Sequence, residues 1–380
     1  MSENTTLKVK NGVSFAKDEM QAVQELYDQI YQPKAEVVIF FCSSKYDLDR
    51  LGNALNDQFT CPLIGCTSSG EITSNGYHAE SLVGVSLVSK AIKIHSRLIS
   101  PLSQFSTDKA EVMSRTIREE LSFSSTFKKD MMFGFLLIDG MSMLEEKTIS
   151  FIHSQFEGMS IIGGSAGDDL EFKTTKVYKD GCFISDAAVF TLIETTLPFY
   201  IFKTQHFQPT EEKLVITEAD PVNRCVTEIN GEPAADEYAE ALGLKIDDLN
   251  PTVFSNHPVM LSIGGEYYVR SIQHVNKDNS LSFYCAIDNG LVLTVAEGVG
   301  LVENLENQLM EIKKQIPNPK LILSFDCILR RLEMQEKQII DAVCEIIKDY
   351  NFVGFSTYGE QYNAVHVNQT LTGVAIGEKE

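Results

Sequence analysis

One pattern is written three times along this chain, and that recurrence limits the folds open to it more than any other feature. The first copy opens with Val37-Val38-Ile39-Phe40-Phe41, continues through Leu48, Leu51, Leu55 and Phe59, and returns with Leu63-Ile64-Gly65-Cys66-Thr67-Ser68-Ser69-Gly70-Glu71. The second runs from Phe133-Gly134-Phe135-Leu136-Leu137-Ile138-Asp139 through Ile149, Ile152 and Phe156 to Ile161-Ile162-Gly163-Gly164-Ser165-Ala166-Gly167-Asp168. The third runs from Leu321-Ile322-Leu323-Ser324-Phe325-Asp326-Cys327 through Leu332, Ile339, Val343 and Ile347 to Phe352-Val353-Gly354-Phe355-Ser356-Thr357-Tyr358-Gly359-Glu360. Spacings of three and four in the middle of each copy are helical, and the short β-branched and aromatic runs on either side are strands. A strand–helix–strand unit implies a right-handed crossover and parallel pairing. Further apolar runs at 82–88 and 370–375 follow the first and third loops and imply returning antiparallel strands. The expected fold class is therefore α/β, with mixed β-sheets flanked by helices and built from repeated strand-helix-strand units.

Residues 198–296 break the pattern and read as a β-rich insertion in the C-terminal half. Asn230-Gly231 is a hairpin-turn signal. Residues 267–272 and 281–286 flank Asn276-Lys277-Asp278-Asn279 as a second hairpin, and 234–242 reads as a short helix. The polar stretch from Gln208 to Lys213 places a boundary near 210–222, giving domains 1–215 and 216–380. Two more amphipathic helices are expected. One, at 17–31, buries Met20, Val23, Leu26 and Ile30; the other, at 299–316, buries Val302, Leu305, Leu309, Ile312 and Ile316 and stops at Pro317. If either leaves a face uncovered, it is the surface for a partner or a homodimer.

Charge and composition narrow the function. A formal net charge of −21 disfavours nucleic acid and anionic lipid as partners. No cationic stretch precedes an apolar run near Met1, and no apolar run reaches the length of a membrane span, so a cytoplasmic protein is expected. The eight cysteines form no C-x-x-C pair, which leaves a zinc ribbon, a thioredoxin site and covalent haem unsupported.

The glycine loops are the candidate ligand site. Glycine permits close backbone approach, and consecutive N–H groups after a strand form a nest for a polar ligand. The hydroxyls of Thr67, Ser68, Ser165 and Thr357 add donors, Gly70 and Gly167 shape the turns, and Glu71, Asp168 and Glu360 would anchor an amine. The same carboxylates would equally serve as caps that merely hold a tight turn.

These loops also carry a family resemblance. Ile64-Gly65-Cys66-Thr67-Ser68-Ser69-Gly70-Glu71-Ile72 looks like the N-terminal FIST signature, and Gly163-Gly164-Ser165-Ala166-Gly167-Asp168 resembles its second block. Gly354-Phe355-Ser356-Thr357-Tyr358-Gly359-Glu360 with Asn368-Gln369-Thr370 looks like the C-terminal FIST signature, to which Phe325-Asp326-Cys327 with Arg330 and Arg331 is also similar. On this resemblance the two domains are FIST N and FIST C, and Asp326 and Tyr358 join the candidate ligand-binding residues. The resemblance implies a sensor in signal transduction that binds a small molecule and does no turnover chemistry. It is closest to the branch that binds haem b, senses nitric oxide and regulates a histidine kinase or a cyclic-di-GMP enzyme, that is, a diguanylate cyclase or phosphodiesterase. This implies a two-component or cyclic-di-GMP partner for the chain. A haem-free sensor of amino acids or a similar metabolite is the alternative.

Haem needs an apolar slot and an axial ligand. Among seven histidines, His206 has the most suitable surroundings, in Leu197-Pro198-Phe199-Tyr200-Ile201-Phe202-Lys203-Thr204-Gln205-His206-Phe207 at the expected domain junction. Its Gln-His-Phe-x-Pro-Thr stretch resembles the junction of the haem-binding branch, and His206 is the candidate iron ligand. His257 is the reserve, and His366 is placed near the third loop. A third function class comes from Gly163-Gly164-Ser165-Ala166-Gly167, which fits the nucleophile elbow of a serine hydrolase using Ser165. The alternating residues 171–178 are not the helix that such an elbow requires, so no enzyme is expected.

Overall fold

In a computed structural model, which describes residues 6–124, 126–156 and 158–378, the three copies are three versions of one βαβ unit. The first comprises β1 (Lys8–Ser14), α1 (Glu19–Ile30), β2 (Val37–Ser43), α2 (Leu48–Gln58), β3 (Leu63–Ser68), a hairpin of β4 (Glu71–Thr73) and β5 (Gly76–Tyr77), and the returning β6 (Leu82–Val88). The second repeats this with β7 (Ile92–Ile99), α3 (Thr107–Glu120), β8 (Met132–Ile138), α4 (Glu145–Gln155), β9 (Ile161–Ser165), the hairpin β10 (Val177–Lys179) and β11 (Cys182–Ile184), and β12 (Ala188–Thr195).

The third unit opens with β13 (Phe199–Thr204) and is then interrupted. The insertion comprises β14 (Phe207–Asp220), β15 (Cys225–Ile229), β16 (Glu232–Pro233), α5 (Ala234–Ala241), α6 (Pro251–Asn256), β17 (Val259–Ile263), β18 (Glu266–Arg270), β19 (Ile272–Val275), β20 (Leu281–Phe283) and β21 (Val292–Gly298). The unit resumes with α7 (Leu301–Gln315), β22 (Pro319–Cys327), α8 (Ile328–Glu336), α9 (Ile340–Ile347), β23 (Phe352–Thr357), the hairpin β24 (Glu360–Tyr362) and β25 (Val365–Val367), and β26 (Leu371–Gly377).

Each unit forms a sheet of the same order and completes it with its neighbour's hairpin. The sheets read β1-β6-β2-β3-β10-β11, β7-β12-β8-β9-β24-β25 and β13-β26-β22-β23-β4-β5. Unit one receives from unit two, unit two from unit three, and unit three from unit one, which gives a pseudo-three-fold exchange. The β2–β3, β8–β9 and β22–β23 pairs are parallel, and the returning strands are antiparallel. The inner faces of all three sheets share one core, in which Phe41, Phe135, Phe325 and Phe355 are fully buried. The Phe41 and Phe355 rings stack at 4.5 Å. The helices lie outside, each unit burying a separate apolar layer beneath them. Burying apolar surface on both sides of these strands explains why they read as continuous apolar runs rather than alternations.

Local chemistry sets the element ends. Asp18, Asp47 and Ser106 cap α1, α2 and α3 by accepting from N–H groups in the first turn. Asn230 and Gly231 both take left-handed φ in the β15–β16 turn, as the pair predicts. Three expectations are corrected. Met20 points outward at 57% exposure, and Ala22 takes its place on the buried face of α1. Residues 267–270 do not pair across Asn276–Asn279; they pair with β17, and the hairpin is made by β19 and β20. The third helix breaks into α8 and α9, leaving Leu332 on the outer side. The insertion curls into a nearly closed, barrel-like sheet with its own core. Its long strand β14 (Phe207–Asp220) runs through most of 210–222, where the sequence suggests a boundary. No helix among the described residues is long and apolar enough to cross a membrane.

Candidate functional site

Because the three units converge, the three glycine loops meet. Backbone hydrogen bonds tie each tip to the next. Ser69 N donates to Ser356 O at 3.1 Å and Ser356 N to Gly70 O at 2.7 Å; Gly167 N donates to Thr67 O at 3.1 Å; Ser165 N donates to Gly359 O at 2.8 Å and Tyr358 N to Ser165 O at 3.1 Å. The tips close on one another through these bonds. Gly70, at φ 117°, is pressed against the Arg331 guanidinium, and a Cβ on Gly167 would strike Ser69.

The loop carboxylates face inward. Glu71 accepts from the Ser68 hydroxyl and from the amide and hydroxyl of Ser81. Glu360 is held in the same way by the Thr357 hydroxyl and by the amide and hydroxyl of Thr370. Burial raises the Glu71 carboxyl to about 7 and that of Glu360 to about 8. Both acids pin a returning loop to its own strand, the loop-holding role that the sequence leaves open beside amine anchoring. Ser68, Thr357, Thr67 (bound to the backbone of Lys176), Gly70 and Gly167 share that role.

Unit two breaks the pattern. By strand register its counterpart of Ser68 and Thr357 is Ala166, that of Glu71 and Glu360 is Val177, and that of Ser81 and Thr370 is Ala187. All three are buried. Asp168, read from the sequence as the third acid of the set, sits instead in a longer loop. It accepts from the amides of Phe172, Lys173 and Thr174 and from the Tyr358 hydroxyl. Asp169, Leu170 and Phe172 in this loop all take left-handed φ, a strained path that Asp168 holds in place. Asp326 is buried within a different cluster, accepting from the Tyr77 hydroxyl and from Arg330 Nε.

That cluster includes His206. The imidazole is fully buried, with Nε2 2.8 Å from Glu333 and Nδ1 2.9 Å from Arg330. Burial lowers its pKa despite the Glu333 carboxylate. With both ring nitrogens engaged, binding a haem iron through His206 would require one of these two contacts to be given up. His257 is exposed at the C-terminal end of α6. His366 is buried, its Nδ1 3.3 Å from Gln361 Nε2, and burial lowers it to about 4. Ser165 is also sealed: its hydroxyl accepts from Gln361 at 2.9 Å, and no helix follows it as a nucleophile elbow requires.

Open space lies beside the stitched tips. A cavity of about 290 Å³ sits past the carboxyl ends of β8 and β22, roofed by the insertion. Ligands in open α/β sheets are commonly found beyond strand carboxyl ends. The cavity is lined by Met141 after β8, by Cys327, Ile328 and Leu329 at the start of α8, by Tyr358 and Asn368 from the third loop and its return, and by Arg224, Gln273 and Tyr284 from the insertion. Phe172 of the strained loop lies against Tyr358, the rings stacked at 4.7 Å and 16°. Of the residues expected from the sequence, only Tyr358 reaches this wall. Asn368 stands in the quoted C-terminal motif, so its signal was present; Arg224, Gln273 and Tyr284 lie in the insertion, where no repeat marks them.

Comparison with protein families gives two matches. The FIST N domain model matches residues 36–232, and the FIST C domain model matches residues 234–363. No curated protein matches the chain.

Proposed function

The chain belongs to the FIST family, whose domains sense small molecules in signal transduction, and on that premise we propose that its ligand occupies the cavity between units two and three beneath the insertion. The carrying observation is Asn368, which is 1% exposed, lines the cavity and has an Oδ1 without a partner among the described residues. An unmet buried amide costs on the order of 1–3 kcal/mol, which a bound guest would recover. The insertion contributes one wall and units two and three the other, so occupancy would alter how the insertion sits on the body. A separate histidine kinase or cyclic-di-GMP enzyme would read that change. In this reading the chain binds without turnover, in keeping with the sealed Ser165.

The haem-free form of the sensor is preferred, because the histidine placed at the junction has no free nitrogen. A haem b and nitric-oxide role would need another axial ligand, and purified protein supplied with haem should show no Soret band that depends on His206. A metabolite screen by thermal shift tests the main reading. A stabilising compound should lose its effect in Leu329→Trp, which fills the cavity, and keep it in Glu71→Gln. A compound whose effect survives the filled cavity would sink the assignment.

A further inference from the structure

If the cavity is the ligand chamber, as argued above, its walls also define the chemistry of the guest. Arg224, 6% exposed, is the charged residue in the lining. Its Nη2 lies 2.8 Å from both Glu145 and Glu146, and its Nη1 donates to the Tyr284 carbonyl at 2.6 Å. Two carboxyl groups already face this guanidinium, so an anionic guest would find no unspent positive charge. A cationic guest would meet Arg224 and the first turn of α8. Both arguments favour a neutral occupant.

The polar atoms left over indicate its functional groups. Helix α8 starts at Ile328 with no side chain capping it, and its first residues form part of the wall. Uncapped amides at the positive end of a helix suit an acceptor oxygen. Asn368 presents a carboxamide that accepts and donates side by side. Gln273, half-buried across the cavity, presents a second carboxamide. Phe172 and Tyr358 supply a flat aromatic surface, and the Tyr284 ring lies 6.3 Å from that of Phe172.

We propose that the cavity binds an uncharged, planar nitrogen heterocycle carrying a lactam edge, with adjacent C=O and N–H groups of the kind found on pyrimidine and purine rings. The ring lies against the Phe172–Tyr358 pair and the lactam edge meets the Asn368 carboxamide, the bidentate pairing by which such amides read heterocycle edges. The volume accommodates a single or fused ring, near the lower end for small-molecule pockets.

Calorimetric titration of the full chain with uracil and hypoxanthine, against benzoate and phenylalanine as charged comparators, tests this. One or both heterocycles should bind. Asn368→Leu should weaken binding by roughly tenfold or more, and 1,3-dimethyluracil, which lacks the N–H, should bind correspondingly worse than uracil. If Asn368→Leu does not fold, Gln273→Ala and the methylated probe serve in its place. Absence of heterocycle binding at millimolar concentration overturns the proposal. So does tighter binding of benzoate or phenylalanine, and if that binding disappears in Leu329→Trp the cavity remains the sensor site. Heterocycle binding that is indifferent to Leu329→Trp would overturn both.

Discussion

Two buried glutamates make the sharpest prediction at the scale of the residue. The folded-state pKa values of Glu71 and Glu360, about 7 and about 8, lie above the ordinary 4.5. Their neutral forms are therefore favoured on folding. The stability they contribute is complete below pH 4.5 and is lost as pH rises through 7 to 8. The change is worth on the order of 3 kcal/mol for Glu71 and about 5 kcal/mol for Glu360. Denaturant unfolding of the wild type should show stability falling between pH 5 and 8.5, and the double variant Glu71→Gln, Glu360→Gln should flatten that fall. His206 gives a second residue-scale prediction. His206→Ala leaves Arg330 and Glu333 facing a buried gap, which should cost about 3–5 kcal/mol in urea unfolding. Both sites illustrate what a sequence can convey. The Gly-Glu pattern located residues that matter, but spacing carries no information on whether a carboxylate faces a guest or its own strand. His206 was singled out by its aromatic neighbours, and its true partners come from a helix more than a hundred positions away.

At the scale of the element, the strand–helix–strand grammar was readable, because buried parallel strands are apolar on both faces and their helices keep a strict spacing. Pairing within the insertion was less so. Residues 267–275 contain no Gly, Pro, Asn or Asp to mark a break, and only the structure shows the stretch divided between β18 and β19. The second unit's missing acid was hidden for a similar reason: the chain does carry a Gly-Asp, but a longer loop moves the equivalent register to Val177. Placing the buried acid there tests that equivalence. Val177→Glu should destabilise the protein by roughly 3–5 kcal/mol. Adding Ala166→Ser and Ala187→Ser, which restores the hydroxyl clamp of the other units, should recover at least about 1 kcal/mol, measured in the same unfolding assay.

At the scale of the whole molecule, the exchanged hairpins bind the N-terminal and C-terminal halves together. The hairpin β4–β5 completes a sheet of the third unit, and β24–β25 completes one of the second. Fragments 1–197 and 198–380, cut between β12 and β13, should each lack a sheet edge and remain unfolded by circular dichroism, yet fold when mixed. A first fragment that melts cooperatively by itself would contradict this. The candidate cavity was legible only in part at this scale, since its walls come from units two and three and from the insertion, three regions brought together solely by the ring of units.

The hand-to-hand exchange closes here around a ring of three. A polypeptide made of one idealised repeat would carry a vacant sheet edge and a spare hairpin that fit each other but cannot meet within a single molecule. Such a miniature should assemble as a rotationally symmetric trimer.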